Sequence, residues 1–219
     1  MRRGVLASVA VAAVVTAALD GSSEVAVWAP GPDAPWQYGF SATPSLAPEA
    51  FRPDGFVDTQ GALRFWHAGA TRDGYYPYVA AGSPTRTVLD PTRSWAVRPG
   101  ELALEASAVG QYAILRFVAP VPGRYHVKAR FTGIHVRVSS TDVHVLVRGT
   151  SVFDGVVEGY GGDPRFHAIG GPSPRATYAG TARLETGDVV AFAVGYGRNE
   201  THFNDTTGLV ARLRRRDPS

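Results

Sequence analysis

Between residues 101 and 215 the chain repeats one device: short segments in which apolar and polar side chains alternate, separated by turn formers. In RYHVKARFTGI (124–134), Tyr125, Val127, Ala129 and Phe131 share one face, and His126, Lys128 and Arg130 share the other. A period of two with that polarity predicts a half-buried β-strand. TDVHVLVRG (141–149) does the same, with Val143, Val145 and Val147 opposite His144, Leu146 and Arg148. ELALEAS (101–107), YAILRFVAP (112–120), TSVFDGVVEG (150–159), ATYAGTARL (176–184), DVVAFAVGY (188–196) and GLVARLRR (208–215) complete the series. Strands this short and this closely spaced predict an all-β fold: a single antiparallel β-sandwich of the jelly-roll type. The links agree, since PVPG (120–123) sets a tight reversal and RGTS and ETGD place glycine where positive φ is needed.

The rest of the chain divides around that body. MRRGVLASVAVAAVVTAALDGSS has two arginines, an apolar run from Val5 to Leu19 and then small residues. This predicts a cleavable signal peptide over residues 1–18, with cleavage after Ala17 or Ala18, and a secreted or periplasmic product. An uncleaved N-terminal anchor is the competing reading. Residues 19–60 are loop-rich, with proline at 30, 32, 35, 44, 48 and 53 and extended pieces at EVAVW (24–28) and WQYGF (36–40). PSLAPEAF (44–51) suits one helical turn. Residues 61–213 form the β-sandwich body, and 214–219 read as a basic, solvated C-terminal tail.

Charge and cysteine exclude several classes. The chain has 22 basic and 19 acidic residues, and loss of residues 1–18 removes Arg2 and Arg3 but no acid, which brings the two nearly into balance. The high pI is therefore no argument for nucleic acid, and no nucleic-acid partner is expected. No second apolar run of spanning length follows the leader, so no membrane association is expected after cleavage. Absence of cysteine removes disulfides, thiol nucleophiles, Cys-based zinc sites and lipid attachment at the cleavage boundary.

Catalytic motifs are missing: there is no GxSxG, HExxH, phosphate-cradling or dinucleotide-binding pattern. No catalytic residue, cofactor or metal is predicted. A hydrolase would need a carboxylate pair such as Glu105 with Glu158, or Asp142 with Asp154, within reach of each other. Asp142 and Asp188 sit at strand starts, where acids commonly accept from backbone N–H groups. The six histidines show no close ligand pair, and His126 and His144 lie mid-strand opposite the apolar stripes. Asn199, Glu200, Asn204 and Asp205 offer oxygen ligands for calcium, but not at EF-hand spacing. Asn199-Glu200-Thr201 and Asn204-Asp205-Thr206 fit the glycan acceptor pattern, by chance if the chain is bacterial, as its arginine bias and its Ala, Val and Gly content suggest.

The aromatic residues offer more. FWHAG (65–69) and DGYYPY (73–78) place rings beside polar groups, the combination that stacks on sugar rings and fixes their hydroxyls. The expected platform is Trp66, His67 and Tyr76, with Tyr196, Asn199, His202 and Asp205 of GYGRNETHFNDTTGL (195–209) as polar partners. That last stretch is foremost a strand–loop–strand connection whose glycines let the backbone reverse.

WQYGF, Trp66, AILRFVAPVPGRYHVKARFTG, TDVHVLVRGTSVFDG and GDVVAFAVGYGRNETHFNDTTGLVARL occur in that order. Together they resemble a recurrent, largely uncharacterised domain of secreted bacterial proteins, often seen in proteins with a PEP-CTERM sorting tail. The resemblance covers about residues 36–213. It implies a secreted jelly-roll sandwich with a carbohydrate-binding role and supplies no catalytic residue. Two departures stand out: Glu105-Ala106-Ser107 replaces the family's His-Pro-Gly, and no sorting segment follows RRRDPS. The leading expectation is a secreted, non-catalytic binding module for a glycan or another cell-surface polymer. The alternative is a structural or protein-interaction sandwich, in which the aromatics of 65–78 would be buried. A carboxylate-dependent hydrolase is the third reading.

Overall fold

The computed structural model describes residues 34–69, 76–137 and 140–216. The leader, its cleavage point and EVAVW lie outside the described residues. Eight strands carry the architecture: β8 (Leu102–Glu105), β9 (Ala113–Val118), β10 (Gly123–Gly133), β11 (Ser140–Val147), β12 (Thr150–Tyr160), β14 (Arg175–Leu184), β15 (Val189–Val194) and β16 (Thr207–Arg216). One sheet contains them in the order β12-β11-β15-β9 and the other in the order β14-β10-β16-β8. All their pairings are antiparallel. Two four-stranded sheets with this order form the jelly roll. These are the eight segments whose alternation predicts strands.

Shorter strands widen both sheets. β1 (Trp36–Ser41) and β2 (Phe51–Pro53) extend the first sheet beyond β9, and β13 (Gly170–Ser173) borders β12. β5 (Tyr78–Ala81), β4 (Leu63–His67) and β3 (Phe56–Gln60) extend the second sheet beyond β8. The loop-rich stretch up to 60 contains the extended piece expected at WQYGF, as β1, and two further strands, β2 and β3, and the expected helical turn is a single 3-10 turn at Pro48–Ala50. β16 runs to Arg216, so Arg214, Arg215 and Arg216 belong to the sheet and not to a solvated tail.

The core lies between the sheets. Val127, Phe131, Val143, Val145, Leu115, Phe192 and Leu213 interdigitate there, as the alternation requires. Burying each such side chain contributes about 1.5–3 kcal/mol. A second cluster lies on the outer face of the second sheet, where Leu63, Phe65, Tyr78, Ala80 and Ala103 meet Val88, Trp95, Val97 and Ile134. The cover is the segment 82–97, which folds into a small pair, β6 (Val88–Leu89) and β7 (Ala96–Val97). It covers β4, β5 and β8 only. On β14, β10 and β16 no described segment covers the same outer face, and Arg183, Arg124, Lys128, Arg212 and Arg214 are exposed there.

Candidate functional site

The cover does not seal the outer face completely. A pocket of about 350 Å³ remains between it and the sheet. Its apolar lining is Phe65 from β4, Tyr78 from β5, Tyr76 just before it, Trp95 from the cover and Phe203 from the 203–206 loop. Tyr78 packs edge-on to Phe65 (5.2 Å between ring centroids) and stacks against Trp95 (6.3 Å). Phe203 is 65% exposed at the rim. Glu105, Asp90, His135, Asn204 and Thr206, with Gln60, Thr92 and Ser94, supply the polar lining, and no lysine or arginine is among the described lining residues.

Glu105 is central to this pocket. It ends β8 on the face opposite Leu104, which points into the core. Tyr78 Oη donates to its Oε2 at 2.7 Å, and Thr206 Oγ1 donates to the same oxygen at 2.5 Å. Burial pushes its carboxyl up to about 8 despite these two bonds, and Asp205 and Asp90 add repulsion. A carboxyl held neutral near pH 7 can donate as well as accept. His135 is pulled down to about 4 by burial, so its imidazole is neutral. Asp90 has a structural task. Its Oδ1 accepts from the backbone N–H of Ser94 (2.6 Å) and Trp95 (2.8 Å), and its Oδ2 from that of Thr92 (2.9 Å) and from the Thr92 hydroxyl (2.5 Å).

The structure separates the expected site residues. Trp66 is in the inter-sheet core, edge-on to Tyr38 at 4.7 Å and only 4% exposed, so it is no stacking platform. His67 is buried on the outer face beside β3, where its Nε2–H donates to Asp58 Oδ2 (2.7 Å) and Phe56 stacks on its ring (5.7 Å). Neither lines the pocket. Tyr76 does, and His202 lies buried behind it, ring to ring at 4.6 Å. Tyr196 packs against Gly110, and Asn199 is exposed outside the lining. Asp205 is fully buried, with Ser140 N–H donating to its Oδ1 (2.8 Å); burial pushes its carboxyl to about 7. The loop therefore reaches the pocket through Phe203, Asn204 and Thr206, while Asn199, His202 and Asp205 shape or support it. Gly197 shows why this loop reads GYGRN. Its φ is +71°, and a Cβ there would lie 1.9 Å from Ser140 O.

The carboxylate pairs also resolve. Glu105 and Glu158 are on different sheets. Asp142 and Asp154 are bridged by His144, whose Nε2–H donates to Asp142 Oδ2 (2.8 Å) and Nδ1–H to Asp154 Oδ1 (2.5 Å). Burial pulls the imidazole down, but its two carboxylate bonds outweigh that and raise it. Tyr112 Oη and Gly197 N–H also donate to Asp142 at 2.8 Å each. This is an ion-paired network with its donors spent, on the outer face of the first sheet. Among the described residues no three His, Asp or Glu side chains converge as metal ligands.

Fold and site together define a jelly-roll sandwich with an aromatic, acid-lined pocket on one outer face. No protein-family model matches the chain, and no curated protein matches it. Solved structures with low similarity include a family 35 carbohydrate-binding module from an environmental isolate, 13% identical over 76% of this chain and 90% of that one (TM-score 0.31). A family 35 module from Clostridium thermocellum is 12% identical over 71% of this chain and 87% of that one (TM-score 0.28). A β-glucosidase from Kluyveromyces marxianus is 15% identical over 50% of this chain, which spans 10% of the enzyme's length (TM-score 0.26). Likeness at this level says nothing of what this chain binds, and the fold assignment rests on the strand order above.

Proposed function

We propose that the protein is a secreted, non-catalytic binding module that holds a saccharide of a glycan or cell-surface polymer in the pocket over β4, β5 and β8. The observation that carries this reading is the composition of the lining. Phe65, Tyr76, Tyr78, Trp95 and Phe203 present apolar faces, while Glu105, His135, Asn204 and Thr206 present donors and acceptors between them. Saccharides are recognised by that mixture, with ring faces against aromatics and hydroxyls fixed by a few polar groups. Carboxyls and no lysine or arginine among the described lining residues favour an uncharged or amino-bearing sugar over an acidic one. Retention on an array of uncharged and amino-sugar polysaccharides tests this. At least one should be retained, and Tyr76→Ala should weaken that retention about tenfold. No retention by the folded protein overturns the proposal.

The burial of Trp66 and His67 favours a second reading, a structural domain with no saccharide ligand. In that case the pocket-lining substitutions alter stability alone.

A further inference from the structure

On the far side of the sandwich, the outer face of the first sheet carries a second cavity, of about 320 Å³. Leu115, Phe117, Val145 and Phe192 point into the inter-sheet core, so the alternation turns Ile114, Arg116, Leu146 and Ala191 outward. These four form the cavity floor. The register sets Arg116 opposite Ala191 and Ala191 opposite Leu146, across β9, β15 and β11. The small alanine between two long side chains leaves the hollow. Leu46, Pro48 and Phe51 of the β1–β2 connection form one wall, and the turns at Arg148–Gly149 and Gly187–Asp188 form the other. Two glycines hold that shape. A Cβ on Gly149 would lie 2.5 Å from Pro48 Cγ, and one on Gly39 would lie 2.6 Å from the Phe51 ring, so glycine lets both wall residues settle against the sheet.

The lining is mostly apolar, with a cation set into it. Arg116 is half-buried, its guanidinium carbon 3.6 Å from the centroid of the Phe51 ring, and its Nε–H donates to Gln37 Oε1 at 2.6 Å. An arginine has five N–H groups, and among the described residues no carboxylate bonds the other four. Desolvation lowers its pKa without removing its charge. A cation taken partly out of water is stabilised when an anion meets it. The acid in the lining is committed elsewhere: Asp188 Oδ2 accepts from Glu185 N–H (2.8 Å) and faces Arg148 Nη1 at 3.9 Å. Two arginines and one aspartate leave the described lining with a positive charge in excess.

We propose that this cavity binds a small amphipathic monocarboxylate, with its carboxylate on Arg116 and its apolar body over Ile114, Ala191 and Leu146. A guanidinium takes both oxygens of one carboxylate in a single fork, which fixes the head of the ligand. The tail then removes the apolar floor from water. The chemistry separates this ligand from two others. A saccharide needs an aromatic face to stack on, and the ring of Phe51 already carries Arg116. A polyanion needs several cations in reach, and beyond Arg116 the described lining has Arg148 alone, which faces Asp188. The volume falls at the small end of the range for ligand sites, about 300–1,000 Å³. Straight-chain and aromatic acids share the required chemistry. This inference is independent of the saccharide pocket, which lies on the outer face of the other sheet.

Calorimetric titration of the full chain with octanoate and with cinnamate tests the proposal, and whichever binds more tightly identifies the body as straight-chain or aromatic. That acid should bind about tenfold more tightly than acetate, which lacks the body, and than its own amide, which lacks the charge. Arg116→Gln should weaken the acid about tenfold and leave the amide unchanged. Arg183→Gln removes the same charge from the other sheet and should alter neither. Ala191→Leu fills the floor and should abolish binding, which keeps the test decisive if Arg116→Gln does not fold. A wild-type circular dichroism spectrum shows that each variant has folded. Binding of neither acid, as when another part of the chain fills the cavity, overturns the proposal. So does equal binding of acid and amide, equal loss in Arg116→Gln and Arg183→Gln, or full binding by Ala191→Leu.

Discussion

One sheet face is used in two opposite ways. Over β4, β5 and β8 it is roofed by residues 82–97, and the space left beneath is small, aromatic and acidic. Over β14, β10 and β16 no described segment covers it, and its outward residues are cationic. The strands themselves differ little in geometry. What differs is whether a described second layer covers them, and the outward residues have followed suit: Phe65, Tyr78 and Glu105 under the roof, Arg124, Lys128 and Arg214 on the other half. Under cover, a carboxyl is driven neutral by desolvation. On the cationic half, charge persists on exposed side chains because water and counterions screen it.

The sharpest test of that division is to damage the roof. Trp95→Ala should cost about 3–5 kcal/mol in urea unfolding and abolish saccharide retention, because Trp95 is buried between cover and sheet. Arg183→Ala on the cationic half should change stability by less than about 0.5 kcal/mol. If the two cost the same, the roofed half is not a second core. Asp90→Ala comes next. It leaves three loop N–H groups without their acceptor and should cost about 2–3 kcal/mol by the same measurement.

Glu105 gives a pH signature. Its folded-state carboxyl is raised to about 8, above an unfolded value near 4. The stability tied to the neutral acid is therefore complete below the unfolded value and is lost as pH rises through the folded one. Glu105→Gln should flatten the fall in stability between about pH 5 and pH 8, a difference on the order of 4 kcal/mol. An unchanged profile would place the ionising group elsewhere, with Asp54 the next candidate because burial raises it too. The smallest effect belongs to the cationic half. An NMR titration of His126 should move towards the ordinary imidazole value at about 0.5 M salt, as screening weakens the repulsion from its four basic neighbours.

The same contrast explains what could be read in advance. The eight jelly-roll strands announce themselves because Val127 and Lys128, or Val145 and His144, face different solvents, and a period of two follows. YVAA in β5 is buried on both faces, so its alternation vanishes. LRFWH in β4 is nearly so, which is why Trp66 and His67 resemble a surface platform in sequence and are buried in space. The pocket has no local spacing at all: Tyr78, Glu105 and Thr206 are joined across 27 and 101 residues. One local sign existed: LDPTRSW has the acid-led form of a tight turn, although nothing in it marks a pocket wall. The cationic half was hidden by net charge, which averages over faces that the register keeps apart.

The Asp90 loop carries a consequence for recognition. One carboxylate fastens the turn from within, so the wall that bears Trp95 already has its shape before any guest arrives. A guest then spends none of its binding energy on ordering that wall, and selectivity falls to fit and not to closure.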